Sequence, residues 1–522
     1  MSSNLTRRSL LTGLAGAAGG AVLLGLTGCQ SAVSQQSSGS DGKGGTFHGG
    51  ITSDLVPANF YTNSNAGVTT IIGLVYESLV SYRVDRLEAE PQLATSWKIS
   101  DDGLTVTLQL RRGVKFHSGR AFTSKDVEFS LKTYADPRWT GQMQSTAAAI
   151  TAYDTSDPHT AVLHLDHPMS NIIDLLDIVP IVDQETFDGI SDGSTYVGTG
   201  PFTFEKWSPG SGLEFAKFDD YWVDGRPYLD AVSIAVVTDA SGLANQLRSG
   251  QLDYAYGVSY KDGASLTKDG QFDLHQLTGA EEQIYVGANL EVPGLDDLRV
   301  RQAIAYGLDR ERIMSEVFLG SGYAVNLPWP KYSSAYDEKL NRTYGHDVAK
   351  AKALLADYGK QVPPVTLTYS VPSPVYEATA QIIQENLKEI GITVKLDPVD
   401  PPSFVAQLIG AKFKGLWTTF HSWAHYTPST LNVSAYPFNA LHNASHYTDA
   451  GYTKDAQAAW TEVDGTGPKA VAAYAEVSQD LLDALFLIEI GVVEDRWITS
   501  PKVQGLAYTK NRELTLTDAR LG

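Results

Sequence analysis

The 48 residues from 401 to 448 contain neither Asp nor Glu, in a chain of 522 residues that carries 60 acidic against 40 basic side chains. The same stretch holds nine aromatic side chains and four of the eleven histidines, His421, His425, His442 and His446. Aromatic faces with polar edges stack on a neutral or mixed ligand and hydrogen-bond its rim, so the chemistry on offer is that of a binding cleft. Trp417, Phe420, His421, Trp423, His425 and Tyr426 are the candidate ligand contacts, because aromatic and polar residues interleave there without helical or strand periodicity. Phe404, Phe413 and Phe438 are as readily explained as core.

Each histidine pair is spaced by four, which on a helix would place both rings on one face, as a metal or metal-chelate site requires. No Cys or carboxylate accompanies them, and Pro428 and Pro437 interrupt helix continuity. Polar cleft or surface histidines are therefore expected, with no metal and no cofactor, and capture of a metal chelate is the alternative. Hydrolytic chemistry has less support still. Gly-x-Ser-x-Gly, His-Glu-x-x-His and the P-loop are all absent, and Ser265-Leu266-Thr267-Lys268 stands without the Ser-Asp-Asn and Lys-Thr-Gly partners that a β-lactamase site needs. No catalytic residue is assigned.

Cys29 is the single cysteine. It follows Arg7-Arg8, an apolar run from Leu10 to Leu26 broken by five glycines, and the small residues Thr27 and Gly28. Charged, apolar, then small is the order of a secretory signal peptide, and the glycines make the run a poor permanent span. Thr6-Arg7-Arg8-Ser9-Leu10-Leu11 is similar to a twin-arginine export signal, with a general secretory signal as the alternative. Leu26-Thr27-Gly28-Cys29 resembles a bacterial lipobox, which implies removal of residues 1–28 and a diacylglyceryl group on Cys29; two acyl chains suffice for stable anchoring. An extracytoplasmic chain, lipid-anchored to the cell membrane on its outer face or in the periplasm, is expected, with no internal disulfide.

Loss of residues 1–28 removes two positive charges and moves the formal net charge from -20 to -22. Such a surface repels nucleic acid and anionic lipid. Residues 30–45 are rich in Ser, Gln and Gly and read as a flexible tether.

The elements that must position the aromatic segment are legible beyond the tether. Leu104, Val106, Leu108 and Leu110 alternate with polar residues after an Asp101-Asp102-Gly103 turn, which predicts a half-buried strand. Thr123 or Ser124 starts a helix carrying Val127, Phe129 and Leu131. Asp296 and Asp297 precede a helix with Val300, Ile304 and Leu308 on one face. A third helix runs from Asp347 to Tyr358 and stops at Gly359, and a fourth from Tyr376 to Ile390 stops at Gly391 before an alternating strand Ile392, Val394, Leu396. Helix, glycine, strand in succession marks an α/β lobe.

Five blocks resemble the family 5 extracellular solute-binding proteins of ABC importers, the peptide and nickel class. The longest joins Leu93-Ala94-Thr95-Ser96-Trp97, the run Leu110 to Gly119 and Phe122-Thr123-Ser124-Lys125-Asp126-Val127; next come Gly198-Thr199-Gly200-Pro201-Phe202, then Tyr221-Trp222 with Gly225 to Asp230, then Leu247 to Asp253. The last is Asp297 to Ile304 with Leu308-Asp309-Arg310. These blocks read as scaffold: His117 is expected to be hydrogen-bonded within a turn, and Arg299 and Arg301 to make structural ion pairs.

The resemblance implies an α/β fold of two lobes, a periplasmic-binding-protein-like clamshell with an extra domain inserted in lobe 1 and two crossing strands as hinge. The implied division is 1–28 signal peptide, 29–45 lipidated Cys and tether, 46–80 with 196–285 and 489–522 lobe 1, 81–195 inserted subdomain, and 286–488 lobe 2, with Ile284 to Leu290 and Ile488 to Glu494 as crossings. The implied role is a monomer that captures a small or oligomeric solute in the interlobe cleft and delivers it to the permease subunits of an importer; a tethered sensor is the other reading. Peptide-binding relatives commonly carry Asp-x-x-Asp/Glu-Pro in the aromatic segment, the first Asp pairing with the ligand's ammonium. Anchored on Pro428, those two positions are Ala424 and Thr427, so a blocked peptide or an oligosaccharide-like solute is expected in place of an ordinary peptide.

Overall fold

Thr46–Ile51 (β1) is the parallel heart of a seven-stranded sheet, paired in parallel with Ala231–Val236 on one side and Tyr254–Tyr256 on the other. The computed structural model describes residues 42–62, 65–139 and 141–522; Cys29, the apolar run before it and most of the expected tether lie outside them. The sheet is completed by Asp273–Gln276 and Arg496–Thr499 beyond Tyr254–Tyr256, and by Gly212–Lys217 and Phe202–Ser208 beyond Ala231–Val236, all antiparallel to their neighbours. Gly198, ahead of Phe202–Ser208, passes against the end of the helix Ala66–Val75 so closely that a Cβ there would lie 2.0 Å from the Val75 carbonyl oxygen. This close approach explains the first glycine of the second sequence block without any ligand.

Between these strands the chain makes a separate four-stranded antiparallel sheet in the order Ala94–Ile99, Thr105–Leu110, Thr160–Leu165, Ile150–Asp154. Val106, Leu108 and Leu110 are buried and their neighbours are more exposed, as the alternation predicts, but Leu104 falls before the strand Thr105–Leu110 and is exposed. The helix Ser124–Tyr134 starts in a capping box of Thr123 and Asp126 and buries Val127 and Leu131. A short helix, Ile172–Ile178 (α1), leaves this layer. The turn from Phe116 to Gly119 is closed by a 2.8 Å bond from the Gly119 N–H to the Phe116 carbonyl. His117 Nε2 lies 2.9 Å from the Gly200 carbonyl, and burial brings its pKa down to about 4, so the neutral ring donates that bond. His117 is thus a scaffold residue, as expected.

The second lobe is built on a six-stranded sheet. Its strands include Glu282–Ala288 (β2), Val365–Ser370 (β3), Val394–Val399 (β4), Leu416–His421 (β5) and Leu487–Val493 (β6), in the order Gly322–Ala324, β6, β2, β5, β3, β4. β3 is parallel to both β4 and β5, whereas β2 is antiparallel to β5 and β6. The helices expected from periodicity form as Leu298–Gly307, Val348–Tyr358 and Pro374–Glu389 (α2), each begun by an Asp or Ser cap that accepts a backbone N–H. Gly359 and Gly391 follow the last two in the left-handed region, with φ of 73° and 97°. Arg299 pairs with Asp297 at 2.6 Å, while the buried Arg301 donates to the carbonyls of Ala484, Leu295 and Asp296 and so tethers helix ends instead of pairing with an acid.

After β4 come the apolar helix Pro401–Ile409 (α3), the helix Pro428–Ser434 (α4) just past β5, and Ala450–Trp460 (α5). The chain passes between the two sheets at 277–281, before β2, and at 494–495, after β6. The crossings expected at Ile284 to Leu290 and Ile488 to Glu494 are therefore displaced. Those runs are apolar because, as β2 and β6, they pair with each other near the middle of a sheet covered on both faces, and central strands read as continuous hydrophobic runs.

Candidate functional site

Parallel strands direct their carboxyl ends to one edge of a sheet, and ligand crevices form there. In this chain the carboxyl end of β1 in one lobe and those of β3, β4 and β5 in the other open on a single cavity of about 950 Å³. Ser53 and Asp54 follow β1, Ser370 ends β3, Pro401 and Pro402 follow β4, and Phe420 and His421 end β5; all line it. The inserted layer adds Gln142 and Ile178, and the C-terminal segment adds Asn511 and Arg512.

Of the six expected contacts, Phe420, His421 and Trp423 line this cavity. Trp417, His425 and Tyr426 do not, and each has a structural place. Trp417 lies four residues before the end of β5, roughly 13 Å back along an extended strand. It is fully buried, stacked on Phe413 at 4.5 Å with a 12° interplanar angle, and its Nε1 donates to the Tyr285 hydroxyl at 3.3 Å. His425 is buried with Nδ1 3.0 Å from the Glu281 carbonyl, and burial together with the charges of Lys510 and Arg512 holds its pKa well below the usual imidazole range. Tyr426, equally buried, donates its hydroxyl to Asp177 at 2.9 Å across to α1. The segment is therefore cleft at one point, core at another and interlobe contact at a third.

Several lining residues carry no signal in the aromatic segment. Tyr61 and Arg512 come from distant parts of the chain, and Tyr376 from the start of α2. The helix α3 lines one side with Phe404, Val405 and Leu408 while Val405 and Ile409 stay exposed, at 49% and 38%. Its apolar composition at a surface was the legible clue, and it begins at the first residue of the acid-free stretch.

The carboxylates of the cavity wall already have protein partners. Two carboxylates line it, Asp54 and Glu282. Asp54 Oδ1 accepts from Trp207 Nε1 at 2.9 Å and from the Leu55 N–H at 2.7 Å, and Oδ2 accepts from the Gly210 N–H at 2.7 Å. Glu282 pairs with Arg512 at 3.2 Å; burial raises its pKa above the usual carboxylate range and Arg512 opposes that. Ala424 is buried. Thr427 meets a carboxylate delivered from the other side: Asp174 of α1 accepts from its N–H at 3.0 Å and its hydroxyl at 2.9 Å. Asp174 also accepts from Thr430 at 2.6 Å and from the Tyr82 hydroxyl at 2.8 Å, so its capacity is used below the cleft.

His421 Nε2 lies 3.3 Å from Glu489 Oε1, both side chains being 3% exposed, under the ring of Phe438 at 4.6 Å. The four-residue spacing does not place the histidines on helical faces: His421 ends a strand and His425 lies in the turn after it. His442 is exposed, and His446 takes φ of 57° with Nε2 2.7 Å from the Ala411 carbonyl. Among the described residues no group of three or more His, Cys, Asp or Glu is placed to hold a metal ion.

The sequence model for "Bacterial extracellular solute-binding proteins, family 5 Middle" matches residues 88–445. "Probable di/tripeptide-binding protein 5" of Pseudomonas aeruginosa is 28% identical over 452 residues, covering 79% of this chain and 84% of that protein. "Heme-binding protein A" of Haemophilus influenzae is 30% identical over 359 residues, covering 62% and 64%. Among solved structures, the binding protein AgaA of A. tumefaciens R10, in complex with agropinic acid, aligns with a TM-score of 0.82 at 26% identity over 92% of this chain and 99% of that one.

Proposed function

The chain belongs to the family 5 bacterial extracellular solute-binding proteins, and from that premise we propose that it captures a neutral solute, a blocked peptide or an oligosaccharide-like molecule, between its lobes. As a member of that family it is the solute-binding component of an ABC importer and not an enzyme. Phe420, His421 and Trp423 are the contacts we assign, with the permease subunits as the partner that receives the solute. We place the lobe boundaries at the crossings 277–281 and 494–495: 46–80, 196–276 and 496–522, with 81–195 inserted, form one lobe and 282–493 the other, which moves the boundaries expected at 285/286 and 488/489 so that β2 and β6 each lie in one lobe.

One observation carries the choice of cargo: both carboxylates on the cavity wall are already engaged, Asp54 by three protein donors and Glu282 by Arg512, and Ala424 and Thr427 occupy the positions where an ammonium would find its partner. An unpaired ammonium taken out of water is costly. The relatives bear names that point to different cargoes, di/tripeptides in one and heme in another, so the fold leaves the choice to the lining. Calorimetric titration with trialanine, N-acetyl-trialanine N-methylamide and maltotriose tests the proposal. A neutral probe should bind and trialanine should bind at least about 100-fold more weakly, the scale of one uncompensated charge; tight binding of trialanine overturns it.

Anchoring through Cys29 belongs to the same proposal. Export by the twin-arginine route and lipidation would leave a monomer on a tether of about 16 residues, which holds a clamshell near its permease at high effective concentration. Cys29→Ala should release the protein from the membrane fraction and leave solute binding unchanged; loss of binding would give the thiol another role.

A further inference from the structure

The cleft carries polar atoms that the protein leaves unused. His421 and Trp423 line the cavity and are each only 7% exposed, yet His421 Nδ1 and Trp423 Nε1 have no hydrogen-bond partner among the described residues. Behind them Gln283 stands directly opposite His421 in the β2–β5 ladder, fully buried, with neither its amide nitrogen nor its amide oxygen partnered. Opposed residues of an antiparallel pair share a face, so the orphan atoms of Gln283 and His421 belong to one polar patch, and Trp423, two residues past the end of β5, lines the same cavity as His421. Buried polar groups are nearly always paired in folded proteins, and an unpaired one is destabilising. A cluster of them at a cavity wall is therefore a set of contacts awaiting a partner from outside the chain.

The chemistry of that partner follows from the atoms. Glu489 accepts at Nε2 of His421, which keeps a proton on that nitrogen and leaves Nδ1 with a lone pair in the neutral ring. The indole N–H of Trp423 can only donate. The two orphan atoms on the cavity wall thus need one donor and one acceptor, and the carboxylate of Glu489, whose Oε2 is also unpartnered, stands behind His421 and not on the wall. An ammonium would meet the indole N–H, and a carboxylate would meet the lone pair of His421. A hydroxyl, or the N–H and C=O of an amide, satisfies both, and Phe420, which lines the same cavity from the other face of β5, supplies an apolar surface for the rest of the solute. Resting on the cleft proposed above, we infer that solute is recognised there through neutral hydroxyl or amide groups that donate to Nδ1 of His421 and accept from Nε1 of Trp423.

The test is calorimetric titration of the purified protein and four variants with maltotriose, which presents hydroxyls, and N-acetyl-trialanine N-methylamide, which presents amides. His421→Phe and Trp423→Phe keep a ring and remove the polar atom, and each should weaken binding about tenfold, the effect of one hydrogen bond. His421→Gln, which retains an acceptor, should recover most of that loss. Phe420→Ala reports on the cleft itself. The probe that shows these losses identifies hydroxyl or amide as the source. If Phe420→Ala weakens binding while His421→Phe and Trp423→Phe leave it within twofold, the orphan atoms serve water only and this inference is overturned, the cleft standing. If Phe420→Ala, His421→Phe and Trp423→Phe all leave binding unchanged, or neither neutral probe binds, the cleft proposal falls and this inference with it.

Discussion

Asp174 is fully buried on α1 and accepts four hydrogen bonds, three of them from Thr427 and Thr430 of the opposite lobe. The same surface is crossed by Ser170 to Ser429 at 2.7 Å, Trp460 Nε1 to Asn171 at 2.8 Å, and Tyr426 to Asp177 at 2.9 Å. Asp174 therefore joins the inserted layer to the first turn of α4. Asp174→Asn preserves the shape but turns one acceptor oxygen into a donor, so about two of the four bonds fail. At about 1.5–3 kcal/mol for a hydrogen bond to a charged group, the gross loss is about 3–6 kcal/mol. Relief of burying the charge, which raises the Asp174 pKa despite its donors, returns part of this, and a net loss of about 2–4 kcal/mol is expected. Urea unfolding at pH 7 measures it. A double-mutant cycle with Thr430→Val isolates the 2.6 Å bond and should give a coupling of about 1–3 kcal/mol. A coupling below about 0.3 kcal/mol, the usual error of additivity, would refute the bond and with it the closed contact between α1 and α4.

Glu77 is buried with its pKa pushed up to about 7, burial outweighing the hydrogen bonds from Trp222, Thr199 and Tyr221. Because the folded pKa lies above the unfolded one, its contribution is full below about pH 4.5 and is lost as pH rises through about 7; the melting temperature should fall over that window, and Glu77→Gln should flatten the fall. His117 has the opposite sign: a folded pKa of about 4 below the unfolded 6.5 means stability is lost as pH drops from about 6.5 towards 4, which His117→Gln should remove in the same melting series. Gly198→Ala would set a Cβ against the Val75 carbonyl oxygen and should cost about 1–3 kcal/mol in urea unfolding. Trp417→Phe, which loses a core indole and its bond to Tyr285, should lower the urea midpoint yet leave solute affinity unchanged; a loss of affinity would return Trp417 to the cleft.

The fold was legible where local physics acts alone. The helices Ser124–Tyr134, Leu298–Gly307, Val348–Tyr358 and α2 follow from an apolar face of 3.6 period, an Asp, Ser or Thr cap and, for the last two, a closing glycine. The aromatic, acid-free stretch was likewise visible as composition, and three of its six singled-out residues line the cavity. Which three could not be read from spacing, because that depends on where β5 ends relative to β3 and β4: Trp417 and His421 share a strand, but only its carboxyl end meets the crevice. The crossings were misplaced for a related reason, since an apolar run looks the same whether it bridges two sheets or lies at the centre of one.

Pairing between distant segments had no trace in the sequence. Asp174 meets Thr427 across 253 residues, and Arg512 meets Glu282 from the other end of the chain; no periodicity or motif couples such positions. Short-range preferences set the elements and marked the segment rich in ligand-like chemistry. The packing of the two lobes chose which carboxylates are consumed inside the protein and which polar atoms are left facing the cavity, because hydrogen bonds and charges are satisfied by neighbours in space, and those neighbours exist only once the chain has folded.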